Sequence, residues 1–263
     1  SQRTGQIMRI CFIGDVVGFP GRQVLQKSLP ALKERIQPDL TIVNGENAAH
    51  GKGITRRIYH QLLDFGADYI TMGNHTFSKS ELRLFIDEAD RLIRPLNLDP
   101  TELGCGVRIA QVGGRRIGMV NVCGEVFMDN VTESPFSAMQ RVLQKEEADW
   151  WFVDFHGETT GEKQTFAQVF ADRCVMIAGT HTHVQTADEQ LIRGCAYISD
   201  AGMCGAFDSI LGRDKNEVIN RVLHHQKTRY TVAEGPALLC GVWAEIDPVS
   251  GRAVKVERIQ NRP

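Results

Sequence analysis

Long apolar runs are missing from this sequence of 263 residues, and we expect no secretory leader. No run approaches the roughly 18–20 apolar residues that a helix needs to cross a bilayer, and the polar first residues lack the apolar core of a signal peptide. Acidic and basic residues nearly balance, at 32 against 30. The chain therefore lacks the excess of positive charge that attracts nucleic acid or an anionic membrane surface. We expect neither stable nucleic-acid binding nor membrane association.

The seven cysteines lack a pattern, because their number is odd and no two form a Cys-x-x-Cys pair. This usage is typical of reduced, mostly buried thiols in a cytoplasmic protein and not of a disulfide framework. The composition, with 42% apolar and 24% charged residues, also excludes a disordered chain or a coiled coil. We expect a single domain over residues 8–260, with Met8 as a candidate native start and residues 1–7 as a cloning remnant.

Short β-rich runs alternate with helical periodicity, which predicts an α/β fold with a layered sheet and helices outside. A helix is predicted after the first strand, where Pro30 should kink or restart it. Another is predicted from Ser78 to about Arg91, because Ser78 and Glu81 form a capping box. A strand is predicted at Ile117–Val122, whereas residues 94–115 and 124–135 lack clear periodicity, and we expect about 94–135 to contribute a small cap. A terminal hairpin is predicted from 237–246 and 253–259.

Residues that can bind metals follow five of the predicted strands. They are Asp15, Glu46, Asn47, Asn74, His75, His156, His181 and His183. Ligands of open α/β sheets bind at the carboxyl ends of the strands, so these side chains are expected to converge. Eight are too many for one tetrahedral zinc. They suit two adjacent metals bridged by a carboxylate, an arrangement used in phosphoryl displacement.

The individual motifs differ in how specifically they indicate a metal site. A Gly-Asp or Gly-Asn-His sequence is common in ordinary turns. The run Gly179-Thr180-His181-Thr182-His183 is more specific, because two histidines at i and i+2 of an extended chain point the same way. His50, His60, His224 and His225 are interpreted as solvated or packing residues.

Taken in order, these motifs resemble those of the calcineurin-like metallophosphoesterases. They are Gly14-Asp15, Gly45-Glu46-Asn47, Gly73-Asn74-His75, His156-Gly157-Glu158 and Gly179-Thr180-His181-Thr182-His183. The chain departs from the common pattern twice, since Val17 replaces the usual first histidine and Gly-Glu-Asn replaces the usual Gly-Asp. Both departures resemble the YmdB-like branch of that superfamily. The similarity extends from about Met8 to Arg258.

The resemblance implies a four-layer α/β/β/α sandwich and a dinuclear site. By motif position, the first metal would be held by Asp15, Glu46, Asn47 and His183. The second would be held by Glu46, Asn74, His156 and His181. Two divalent or trivalent transition-metal ions per chain are implied, with iron favoured and manganese or zinc as alternatives, since carboxylates and imidazoles alone do not select among them.

The activity implied is hydrolysis of 2′,3′-cyclic nucleotides such as 2′,3′-cAMP, by attack of a metal-bridging hydroxide with His75 as the general acid. No residue is assigned to substrate binding. The same dimetal site leaves open a phosphomonoesterase or an RNA nuclease. The alternative to an enzyme is a metal-binding regulatory protein that acts through partners. The remaining expectations are a cytoplasmic location and a homo-oligomer.

Overall fold

The computed structural model of this chain describes residues 6–263. Most of the expected remnant at residues 1–7, namely residues 1–5, therefore lies outside the described residues. The strands are β1 Met8–Ile13, β2 Asp15–Val16, β3 Leu40–Asn44, β4 Tyr69–Thr71, β5 Leu92–Ile93, β6 Val107–Val112, β7 Arg115–Cys123, β8 Trp150–His156, β9 Met176–Thr180, β10 Gln190–Ile192, β11 Cys195–Ile198, β12 Met203–Ala206, β13 Ala237–Asp247 and β14 Arg252–Asn261. The helices are α1 Gly18–Ile36, α2 Arg56–Phe65, α3 Leu82–Phe85, α4 Pro135–Lys145, α5 Thr160–Phe170 and α6 Lys215–His224, with 3₁₀ turns at Ile86–Glu88 and Ala171–Arg173.

The strands form two sheets. The first has the order β2-β12-β13-β1-β3-β4-β5, with β14 also paired to β13, and the second has the order β10-β11-β9-β8-β7-β6. The strands β1, β3, β4 and β5 run parallel in the first sheet. The strands β7, β8, β9 and β11 run parallel in the second. Each sheet therefore presents several carboxyl strand ends at one edge, where polar loops gather.

Alternation along the strands explains the layering. On β1, Ile10 and Phe12 belong to a buried cluster between the two sheets, while Cys11 and Ile13 face a cluster shared with α1 and α2. On β8, Phe152 faces the first sheet, and its ring centroid lies 5.2 Å from that of Phe12. Its neighbours on the strand pack toward α4 and α5. Helices, two sheets and helices thus form a four-layer α/β/β/α sandwich, which confirms the predicted fold class.

Two local predictions about helices differ from the structure. The helix α1 runs unbroken from Gly18 to Ile36 with Pro30 inside it, so proline does not restart the helix, and the alternative of a kink stays a prediction. Pro30 and Gln26, whose carbonyl loses its helical partner, are both exposed, and water can satisfy that carbonyl.

The predicted helix from Ser78 to Arg91 is reduced to Leu82–Phe85 and the following 3₁₀ turn. Its expected capping box does not form. The Glu81 carboxylate instead accepts a 2.7 Å hydrogen bond from the backbone N–H of Arg56, at the start of α2. The first backbone N–H groups of a helix lack partners within the helix, and a side-chain oxygen from any part of the sequence can accept from them. Glu81 therefore caps α2 and not the helix that follows it in the sequence.

The segment 94–135, from which we expect a small cap, is built partly into the second sheet. Its middle forms β6 and β7, an edge strand and its neighbour in the second sheet. The flanking loops are joined to each other, because Asn97 donates to the carbonyls of Cys123 and Glu133 at 2.8 and 3.0 Å. Strands with few alternating apolar positions, such as β6, give little periodic signal.

Within residues 6–263, none of the helices combines the length and the apolar character that crossing a membrane would require.

Candidate metal centre

The predicted metal-binding residues meet at the seam between the two sheets. Asp15 lies in β2, while Glu46, Asn47, Asn74 and His75 follow β3 or β4 of the first sheet. His156 ends β8, and His181 and His183 follow β9, both in the second sheet. Asp15, Glu46, Asn47 and His156 are buried, and the other four are partly buried. Both sheets therefore supply donors to a single cluster.

One donor group contains Asp15, Glu46 and His183, whose donor atoms lie within 4.8 Å of one another. Nε2 of His183 is 3.2 Å from Oδ2 of Asp15 and 3.0 Å from the side-chain amide of Asn47. That amide also lies 3.1 Å from Oε1 of Glu46. These four residues are the ones that the motif order assigns to the first metal.

A second donor group contains Glu46, His156 and His181, within the same 4.8 Å limit. Nε2 of His156 lies 3.1 Å from Oε1 of Glu46, 2.8 Å from Oδ1 of Asn74 and 3.1 Å from Nδ1 of His181. These residues match the set assigned to the second metal. Glu46 belongs to both groups, as a bridging carboxylate must.

The donors fit a metal ion on their own chemistry. Oδ1 of Asp15 is buried and has no hydrogen-bond partner among the described residues, and a buried carboxylate oxygen in that state needs a cation or another donor. Nitrogen atoms of His156 and His181 face each other at 3.1 Å, with acceptor oxygens of Glu46 and Asn74 beside them. A cation would satisfy these lone pairs together. Carboxylates, imidazoles and amides suit iron, manganese or zinc.

Strong coupling between Glu46 and His156 dominates the electrostatics of the metal-free site. Burial alone would raise the pKa of Glu46, but the charge and hydrogen bond of His156, with help from His75, lower it. Burial likewise would lower the pKa of His156, but Glu46 above all, then Asp15 and Asp154, raise this pKa to about 9. Burial and the neighbouring His156 lower the pKa of His181. A proton on His156 thus does part of what a cation would do.

The two histidines of the His-Thr-His run do not share one direction. Both have positive φ, 104° at His181 and 69° at His183, so the chain is not extended there and the argument from i and i+2 spacing is wrong. Each histidine enters a different donor group. Asp200 fixes the loop by accepting from the backbone N–H and the hydroxyl of Thr182 at 2.9 and 2.8 Å. A buried ion pair at 3.1 Å joins Asp200 to Lys163.

His75 stands apart from both donor groups. Its backbone N–H donates to Oε2 of Glu46 at 3.0 Å, while its ring lies 3.4 Å from the Ser78 hydroxyl through Nδ1. Burial lowers its pKa, against the opposing charge of Glu46. The backbone therefore anchors His75 to the predicted bridging carboxylate and leaves Nε2 of its ring for another partner.

Two contacts of the site histidines were not predicted. Nε2 of His181 lies 2.6 Å from a carboxylate oxygen of Glu158. Nδ1 of His183 lies 2.9 Å from the carbonyl of Leu211. Such partners of the second ring nitrogen orient a metal-binding histidine. Glu158 stands in the quoted motif but had no role there, whereas a backbone carbonyl leaves no trace in a sequence.

The residues set aside in the sequence behave as expected. His50, His60, His224 and His225 are exposed. All the cysteines are free, and six of the seven are buried. Cys204 lies beside the site, since it pairs with Val16 next to Asp15. Burial raises its pKa well above the ordinary thiol value, so its thiol stays protonated.

Two facing sheets flanked by helices, with carboxylates and histidines gathered where the strands end, define a metallophosphoesterase. Within that class, residues 11–259 match the model of the YmdB-like protein family, and the chain belongs to that family. The resemblance stated from the motifs is thereby confirmed.

Individual relatives agree with this membership. The chain is 44% identical over 255 residues to a Bacillus subtilis (strain 168) protein named 2′,3′-cyclic-nucleotide 2′-phosphodiesterase, covering 96% of each chain. A solved structure from Mycoplasma pneumoniae, described as a novel phosphatase, matches with a TM-score of 0.93 and 37% identity over 98% of this chain and 94% of the other. The crystal structure of a hypothetical protein from Thermus thermophilus matches with a TM-score of 0.91 and 36% identity over 97% of this chain and 100% of the other.

The pKa of His156 generates a test of metal binding. A folded-state pKa of about 9 lies above the ordinary value, so the metal-free protein holds this proton at pH 7.5 and loses it as the pH rises past 9. A metal that takes Nε2 must displace it. We expect Zn²⁺ binding to release at least about one proton at pH 7.5 and fewer at pH 9.5. Calorimetric titrations in two buffers with different ionisation enthalpies measure this number. Binding heats independent of buffer at pH 7.5 would contradict the assignment.

Proposed function

We propose that this protein is a metal-dependent phosphodiesterase that hydrolyses 2′,3′-cyclic nucleotides such as 2′,3′-cAMP. The observation that carries the proposal is the pair of donor groups that share Glu46, because two adjacent cations suit displacement at a phosphate. The substrate class is supported by the name of the Bacillus subtilis relative. The Mycoplasma relative described as a phosphatase makes phosphomonoesters the second candidate.

In this proposal Asp15, Glu46, Asn47 and His183 hold the first metal, and Glu46, Asn74, His156 and His181 hold the second. Metal ions there would supply Lewis-acid chemistry, activating water and offsetting the charge of the phosphate. Asn47 and Asn74 would contribute amide oxygens, and turning the Asn47 amide places its oxygen where its nitrogen now lies. Glu46 would hold both ions at a fixed separation.

His75 is the proposed general acid. The ribose oxygen that leaves phosphorus needs a proton, and an imidazole is suited to supply one near neutral pH. The hydrogen bond from the His75 backbone to Glu46 fixes where the ring lies beside the donor cluster. Burial disfavours the protonated ring, but the negative charge of a bound phosphodiester would favour it.

Three finer features belong to the same proposal. Iron is the favoured metal, on the resemblance to the YmdB-like branch, with manganese or zinc as alternatives. A cytoplasmic location is supported by the seven free cysteines. The homo-oligomer remains a prediction that rests on the sequence interpretation.

A substrate panel with metal analysis tests the function. Protein purified without chelator should carry close to two transition-metal ions per chain and turn over 2′,3′-cAMP faster than p-nitrophenyl phosphate or a short RNA. Preference for the monoester would favour the second candidate. A well-occupied preparation with a single tetrahedral zinc would contradict the dimetal proposal.

Glu46→Gln should damage activity more than any other acidic substitution except one at Asp15. Gln keeps the shape but removes the charge that offsets two cations, and its amide nitrogen cannot accept. We expect metal content to fall and kcat/KM to drop by about 10²-fold or more, beyond the usual effect of outer partners. Glu245→Gln is the matched control, since Glu245 pairs with Arg9 at the opposite end of β1. Normal metal content and turnover in Glu46→Gln would show that Glu46 is not the bridge.

His75→Ala should separate the acid from the ligands. Because Asn74 supplies the ligand of that loop, the variant should keep its metals. Positioned proton donors typically contribute about 10²–10⁴-fold, so turnover of 2′,3′-cAMP should fall by roughly that factor. Bis(p-nitrophenyl) phosphate should lose much less, since nitrophenolate leaves with little protonation.

His181→Ala is the comparison, and it should lose metal and fail on both substrates. Equal losses on the two diesters in His75→Ala would remove the general-acid role. Metal loss in His75→Ala would instead make His75 a support of the metal site.

A further inference from the structure

A fully buried carboxylate lies directly beneath the metal centre. Asp154 is on β8, two residues before His156 and therefore on the same face of the strand. Its side chain has no exposure. Oδ1 accepts from the Thr180 hydroxyl at 2.6 Å, and Oδ2 accepts from the Thr71 hydroxyl at 2.6 Å and from the Asn44 amide at 2.8 Å.

These three donors come from both sheets. Asn44 ends β3 and Thr71 ends β4 in the first sheet, while Thr180 ends β9 beside β8 in the second. Each donor precedes a loop that supplies predicted ligands, namely Glu46 and Asn47, Asn74, and then His181 and His183. Asn44 continues the connection, because its Oδ1 accepts from the backbone N–H of Glu46 at 3.1 Å. One carboxylate thus ties together the starts of three ligand loops.

Thr180 also contacts His156, a predicted metal ligand, directly. The Thr180 oxygen lies 2.9 Å from Nδ1 of His156. A hydroxyl has one proton, and Thr180 gives it to Asp154. The oxygen can therefore only accept from His156, which requires hydrogen on Nδ1. With Nδ1 protonated, neutral His156 carries its lone pair on Nε2, the atom that faces Glu46, Asn74 and His181.

We propose that Asp154 and Thr180 are positioning residues that fix His156 as the tautomer with Nε2 free for the second metal and hold the ligand loops of the two sheets together. This inference rests on the metal site of the proposed function. Asp154 belongs to neither donor group and would act through its hydrogen bonds. Partners of this kind typically change metal affinity by about 10–100-fold when they are removed.

The substitution Thr180→Val tests the role of the hydroxyl with little change of shape. Chelator competition with Zn²⁺ should show affinity at the weaker site lowered by about 10–100-fold. Nitrogen-15 spectra of the Zn²⁺-loaded wild type should show His156 bound through Nε2 with hydrogen on Nδ1. Thr180→Ser, which keeps the hydroxyl, should restore the affinity to near the wild-type value.

Thr41→Val is the matched control. Thr41 is also a fully buried strand threonine, but its hydroxyl has no hydrogen-bond partner among the described residues. The control should keep wild-type Zn²⁺ affinity. Thermal unfolding of the metal-free variants shows whether any loss merely follows global destabilisation.

The substitution Asp154→Asn gives an independent arm. An amide nitrogen facing Thr180 would turn the hydroxyl toward His156 and favour hydrogen on Nε2, the wrong tautomer for the metal. Affinity for Zn²⁺ should fall at least as far as in Thr180→Val. Wild-type affinity in Thr180→Val, binding of Zn²⁺ through Nδ1 with hydrogen on Nε2 of His156 in the Zn²⁺-loaded wild type, or no rescue by Thr180→Ser would overturn the proposal. Since Zn²⁺ affinity requires no substrate, loss of affinity without any cyclic-nucleotide turnover would sustain this inference while removing the proposed function.

Discussion

At the seam between the sheets, the site buries more hydrogen-bond acceptor atoms than there are protons to pair with them. The architecture of the site follows from this imbalance. Asp15 and Glu46 are both buried, and nitrogen lone pairs of His156, His181 and His183 converge on them. Leaving such groups unpaired is costly. Without metal, the proton of His156 satisfies part of the excess, and Oδ1 of Asp15 is left with no partner among the described residues. A cation in each donor group would meet the constraint.

The rest of the molecule holds these acceptors in place. Both sheets are mixed, and the cluster around Phe12 and Phe152 keeps them face to face. The loop that carries His181 and His183 adopts positive φ at both histidines, a conformation that bulky residues rarely take. The buried pair of Asp200 and Lys163 supports this loop. Stability lost at these functional positions is thus offset by the apolar layers.

The carboxyl-end rule predicted which residues meet at the seam, whereas the four-layer sandwich was implied by the resemblance that the strand-end motifs carry. Side-chain direction was beyond the sequence, as His181 and His183 show, since it depends on local dihedrals. Tertiary partners were equally hidden, and Glu81 caps α2 instead of its own helix. Asp154 did leave a signal, being the only charged residue in the otherwise apolar and aromatic run from Trp150 to Phe155.

Each donor group draws on both sheets, and this division has a mechanical consequence. Asp15 lies in the first sheet and Glu46 follows one of its strands, whereas His156 ends a strand of the second sheet and His181 and His183 follow another. Ions bound in the two groups would act as cross-links through the middle of the sandwich, in addition to any catalytic role. A ligand that binds only the folded chain, and is present at a concentration of a hundred times its Kd, adds about 2.7 kcal/mol to the free energy of unfolding. Under the proposed function, removing the metals would therefore lower the stability of the sandwich as well as the activity.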